Sequence, residues 1–440
     1  MDSAKVAPPS TIVVGDEAKT RFLDWARLQD DIEFCPDIDM FHQFREGYRG
    51  VVATKDIQAD VALVRVARRC CIGPETTDVS KDDWKKAMAS AEDATPATDK
   101  FGNTLTVAPR LTRACFTVLS LLHEKGLGEA SPFHAYLSVL PRDHRLPMEW
   151  NEAELDLLEG TSAEPLVRRG SLDSQFQKFE RIVKLHPTLW EPSVCTKAQF
   201  AKGVNWVRSR GFTVMGDPHM IPGADMFNHD PDKQSVQMST DGEDHFVMKT
   251  VHPVKAGDEI FSSFGNLSNA QLLNSYGFVL PGNPFDNVVI PTKLVVSVCH
   301  NTFVKLEGSK MKKAEAKATW ERRLAMVDSN DDVEETQEAF VISKYDLLPE
   351  SLIDRVQILT MSSDEEVAYA AIAAIAQAKA REYRCIRGVG GGGSEPINGG
   401  NNPVGEGQGV GVDAESLAGM LVNEEKTVLN DLRMQLMSEV

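Results

Sequence analysis

The chain has 440 residues, 42% of them apolar, which is enough to fill two domain cores. Lys plus Arg number 47 and Asp plus Glu number 65, so the net charge is 47 − 65 = −18. That balance argues against gripping a nucleic-acid backbone and suits a basic peptide or a lysine-bearing protein surface. Residues 20–29 read as a short helix, with Phe22, Leu23, Trp25, Ala26 and Leu28 on its apolar side. The runs YRGVVATKDI (48–57) and VALVRV (61–66) predict a hairpin-like pair of strands. Residues 75–110 are polar and poorly periodic. LTRACFTVLSLLHEKG (111–126) has helical spacing and ends on Gly126. A polar, partly helical stretch runs to about 195, and AQFAKGVNWVRSRGF (198–212) predicts another helix. Residues 213–265 read as strands and turns.

The C-terminal third changes character. Alternations of Lys, Glu and Ala begin near 305, and helices are predicted over 348–361, 365–386 and 423–436. Residues 388–412 are Gly-rich and aperiodic, which predicts a disordered loop. The seven cysteines are odd in number and include no C-x-x-C pair, which argues against a disulfide framework or a structural zinc site. No apolar run approaches the ~20 residues of a membrane span. The opening MDSAKVAPPS has neither an apolar signal core nor an Arg-rich transit pattern. A cytoplasmic or nuclear monomer, bound to neither membrane nor nucleic acid, is expected.

Three segments in order, YRGVVATKDI, ADMFNHD (224–230) and HPVKAGDEIFSSFG (252–265) with NLSNAQLLNSYGF (266–278), resemble the core of a SET domain. The last two, with SPFHAYLSVLPRDHRLPMEWNEAEL (131–155) and EEKTVLNDLR near the end, resemble the Rubisco large-subunit methyltransferase branch. The resemblance runs from about residue 20 onward. Each motif alone is weak, and their order and spacing make the match specific. It implies an α+β fold. A SET domain would occupy 1–284, with a helical insertion at about 75–210, and a helical substrate-binding domain would occupy 285–440.

The resemblance also implies S-adenosyl-L-methionine as methyl donor and a protein substrate presenting a lysine. Many histone-directed SET enzymes have Cys-rich zinc flanks that are missing here, so a non-histone substrate is expected. Glu46, Gly47 and Tyr48 would meet the cofactor largely through backbone, together with Arg210, Asn228, His229 and Tyr276. Arg208, Phe212 and Asp225 would face the substrate, although only one of Arg208 and Arg210, two positions apart on a helix, is expected to face the site. Asp225 could instead orient an arginine.

The sequence departs from the family at Phe264, where a Tyr normally places its hydroxyl beside the methyl transfer. Two other readings follow. In the actin-histidine methyltransferase branch an Asn lies two residues after the active-site Arg, but here that position is Phe212, which suits a lysine channel better. A non-catalytic cofactor-binding or docking module would explain Phe264 itself.

Overall fold

The computed structural model describes residues 15–45, 48–92, 113–168, 172–214, 217–242, 244–328, 338–384 and 413–439. Helix α1 (Asp16–Arg27) turns Phe22 and Ala26 inward, the i, i+4 spacing of one helix face. Strands β1 (Ile32–Phe34), β2 (Ile38–Arg45), β3 (Tyr48–Ala53) and β4 (Ala62–Ala67) follow. The expected hairpin of 48–57 with 61–66 does not form: β3 pairs with β2, and β4 pairs with β1. Every β3 residue is buried, and its other edge is occupied by the segment around Glu259. There Ala53 N–H donates to Asp258 O (3.0 Å) and Ile260 N–H donates to Val51 O (2.8 Å). Asp60 then adopts φ +61 and donates its N–H to Thr250 O, so the chain enters a different sheet instead of folding back.

The polar stretch after residue 75 is more regular than its sequence suggests, because it holds helix α2 (Lys81–Glu92). The Ser80 hydroxyl accepts from Asp83 N–H at 3.1 Å and donates to the Asp83 carboxylate at 2.7 Å, as an N-cap does. Trp84 and Ala87 are buried, with Trp84 edge-on to Phe116 and Trp190. Helices α3 (Arg113–Leu127), α4 (His134–Val139), α5 (Glu152–Leu155), α6 (Glu164–Arg168), α7 (Leu172–Leu185) and α8 (Lys197–Arg210) complete this helical stretch.

Strands β5 (Phe212–Val214) and β6 (Asp217–His219) form a small antiparallel pair. Then come β7 (Asn228–His229), β8 (Val236–Asp241), β9 (His245–Thr250) and β10 (Phe261–Ser262). The largest sheet has the order β1-β4-β9-β8. Strands β7 and β10 run parallel, with Asn228 opposite Phe261 and His229 opposite Ser262. Helix α9 (Asn269–Tyr276) is capped by Ser268 and Gln271 and ends at Gly277, φ +74. A hydrophobic core reaching from Phe22 to Ile260 supports these elements.

The remainder comprises β11 (Asn287–Pro291), α10 (Thr292–Leu306), α11 (Lys313–Asp328), β12 (Ala339–Ser343), α12 (Glu350–Thr360), α13 (Glu365–Glu382) and α14 (Ala414–Glu439). It is mostly helical, as its periodicity predicts, with the antiparallel pair β11–β12 added. A second core runs from Val288 to Leu436. A third cluster joins Trp150 and Leu158 to Ala270 and Leu273 of α9 and to Leu417 and Leu421 of α14. Helix α14 thus packs on α9 with its first half and enters the second core with its second. The architecture is α+β. The loop predicted over 388–412 lies outside the described residues, and no helix among them is long and apolar enough to cross a membrane.

Candidate active site

Two-residue strands are too short to hold themselves, so the parallel pairing of β7 with β10 depends on the core beneath it. Its effect is to set His229 against Phe264. The Phe264 N–H donates to His229 Nδ1 at 3.0 Å, so neutral His229 carries its proton on Nε2. That Nε2 is buried and has no hydrogen-bond partner among the described residues. Burial holds the His229 pKa down at about 4. The Phe264 ring is stacked between His229 (centroids 4.9 Å apart, planes 20°) and Tyr276 (4.7 Å, 27°). Phe278 lies 6.3 Å from each of the outer rings.

The last turn of α8 delivers two arginines, which point apart as helix geometry requires. Contrary to expectation, both border the site. Arg210 Nη1 donates to the Asp225 carbonyl at 2.8 Å and lies 3.7 Å from its carboxylate. The Asp225 side chain has 0% exposure, so it reaches Arg210 and not the surface. Burial raises the Asp225 pKa, while Arg210 and Arg49 oppose the rise. Burial and the neighbouring Arg210 lower Arg49 to about 9. Burial, and then the charge of nearby Asp225, push up the phenol of Tyr136 from α4. Arg208 lies against Met148 Sδ at 3.7 Å, and its charge acts against the burial that raises the Tyr276 phenol. His144 hydrogen-bonds to the Tyr276 backbone and is lowered to about 4 by burial, with Arg210 adding to the effect.

A third group joins β3 to β7. The Asn228 amide nitrogen donates to Arg49 O (2.7 Å) and to Glu259 Oε1 (2.8 Å). The Tyr48 hydroxyl donates to both Glu259 oxygens, at 2.7 and 2.8 Å. Gly50 lies so close that a Cβ there would stand 2.2 Å from Glu259 Oε1.

The structure therefore brings Tyr48, Arg208, Arg210, Asp225, Asn228, His229, Phe264 and Tyr276 into one region. Glu46 and Gly47 lie outside the described residues. Phe212 sits on β5 opposite His219 and packs on the large core. Sequence reading misses Arg49, Tyr136, His144 and Glu259. All four stand in stretches quoted for the resemblance, Glu259 in GDEIFSSFG, but those strings point to other residues and to the order of the segments.

A SET domain family model matches residues 48–265. The chain is 26% identical over 284 residues to N-lysine methyltransferase SETD6 of Mus musculus, covering 60% of this chain and 55% of that protein. It is 25% identical over 286 residues to ribosomal lysine N-methyltransferase set10 of Schizosaccharomyces pombe, covering 62% and 47%. The match thus spans about half the length of these curated relatives. The solved structure of Rubisco LSMT bound to AdoMet superposes with a TM-score of 0.63 at 18% identity, over 96% of this chain and 92% of that one, which shows a shared fold.

Proposed function

We propose that this chain, a SET-domain protein of the Rubisco large-subunit methyltransferase-like branch, is an S-adenosylmethionine-dependent protein-lysine N-methyltransferase acting on a non-histone protein. The observation that carries the reading is the convergence of Asn228–His229, Arg210 and Phe264, all within the matched segment, with Tyr276, just beyond it, on one region. We take residues 1–284 as the SET domain and 285–440 as the helical part that docks the substrate.

The residues present fit the cofactor. His229 Nε2 and Arg210 Nε are buried polar atoms without a hydrogen-bond partner among the described residues, and a buried donor is costly unless something accepts from it. Asn228, His229, Arg210, Tyr48 and Tyr276, with Glu46–Gly47, would hold S-adenosylmethionine. When bound, it supplies a methyl group on a sulfonium, open to in-line attack. The protein's own task is to present a neutral amine in line with that methyl group. A buried aromatic channel favours the neutral amine, because desolvation disfavours the ammonium. Tyr276 supplies an aromatic wall and a hydroxyl that orients the amine. Asp225, whose carboxylate is covered, acts by fixing Arg210 and does not touch the substrate.

One site per chain is expected, with a Kd of about 1 μM, or about −8 kcal/mol. Calorimetry on the wild type and on Asn228→Ala/His229→Ala tests this, and an unchanged affinity in a folded double variant would remove the assignment. Labelled S-adenosylmethionine incubated with a lysate of the source cell should then mark a protein. Mass spectrometry should locate the label on lysine. Label on histidine would favour the histidine reading, and binding without transfer would favour the docking-module reading.

A further inference from the structure

We propose that Glu259 is the positioning residue of the cofactor pocket, and that it fixes which polar atom Asn228 presents to the ligand. Asn228 bonds two groups, the Arg49 carbonyl and the Glu259 carboxylate. The carbonyl can only accept, and the ionised carboxylate likewise, so both must be served by the amide's two hydrogens. This settles the amide's orientation on chemical grounds. Oδ1 is the polar atom that Asn228 can still offer, and it only accepts. A ligand's ammonium fits it, and a ligand's carboxylate does not.

Glu259 is itself held from several sides. The Tyr48 hydroxyl donates to both of its oxygens, its carboxylate fills the space left by the missing Cβ of Gly50, and its own strand segment is tied to Val51 and Val52. Residues 48, 228 and 259, far apart in sequence, therefore lock as one unit. Without Glu259 the Asn228 side chain keeps only the Arg49 carbonyl and gains freedom to turn. The buried Tyr48 hydroxyl then loses its acceptor.

This inference rests on the reading of the region as an S-adenosylmethionine site. The test uses the full-length protein, with S-adenosylhomocysteine and the analogue lacking its α-amino group as calorimetric probes. Wild type should prefer the amino-bearing ligand by about 10- to 100-fold, the range of one hydrogen bond to a charged group. In Glu259→Leu the preference should shrink to a few-fold, mainly through weaker binding of the amino-bearing ligand. Glu259→Gln keeps an acceptor for the Asn228 amide and should retain most of the preference. Glu259→Ala carries the same test if the leucine form does not fold.

A purely structural role for Glu259 would weaken both ligands equally, and that result overturns the proposal, as does a preference that survives in Glu259→Leu. A wild type that binds both ligands equally overturns the acceptor role of Asn228. If wild type binds neither ligand, the cofactor reading itself has failed.

Discussion

Phe264 concentrates the chemical question in one side chain. Both faces of its ring are covered, by His229 and Tyr276, so only its edge is available to a reacting amine. Tyrosine would place a hydroxyl on that edge without disturbing the stack. Phe264→Tyr is therefore expected to raise the single-turnover methylation rate on the true substrate, by at most roughly 10²–10³, the scale of one polar group at a transition state. Should the hydroxyl find no partner, it would cost about 1–3 kcal/mol of stability, and melting temperature measured beside the rate reads this directly. A rate that falls in the tyrosine form would sink the idea that Phe264 slows the enzyme, and would make it a tuned part of the channel.

At the scale of elements, α9 matters most, because it ends on Tyr276. Gly277 closes it with φ +74, and its N–H donates to Leu272 O and Leu273 O. A Cβ there would lie 2.8 Å from His144 Cε1 and 3.1 Å from Arg145 O. Left-handed backbone alone costs a non-glycine residue about 1–2 kcal/mol, and this crowding adds to it. Gly277→Ala should lower stability by at least about 2 kcal/mol in denaturant titration. It should also weaken cofactor binding, since His144 must move and His144 holds the Tyr276 backbone. A variant as stable and as tight as wild type would show that this turn does not fix Tyr276.

The same elements show what was legible in the sequence. Asn228, His229, Phe264 and Tyr276 were readable because each sits in a short string whose order carries the resemblance. Tyr136 and His144 stand in such a string too (131–155), but their place in the site lies in contacts with chain 60 or more residues away, which single-strand patterns do not name. The failed hairpin has that cause too: β3 is apolar and strand-like, but its choice of β2 over β4 is made by the segment around Glu259. Helix α2, whose buried side chains among those described are Trp84 and Ala87, lies in a stretch rich in charged residues, and its clearest signal is the Ser80 cap.

The molecule has two large cores and a third, smaller cluster, and α14 joins that cluster, where it meets α9, to the second core. Helices α13 and α14 flank the Gly-rich stretch, and that stretch offers almost no apolar anchors. Deleting residues 390–410 is expected to shift the melting temperature by little, because loop length enters closure entropy only logarithmically. A large drop would mean that the stretch packs against the helical part.

The bridging by α14 has a further consequence in time. Ala270 and Leu273, on the helix that bears Tyr276, are covered by residues that leave the ribosome roughly 140 positions later. At ~5–20 residues per second, the part of that face covered by α14 waits about 7–30 s, while Trp150, Leu158 and Val167 of the same cluster are already made. A nascent chain of this protein therefore carries an exposed apolar strip beside its future active site for as long as synthesis of the intervening segment lasts. Chaperone capture, or aggregation where capture fails, should concentrate in that interval.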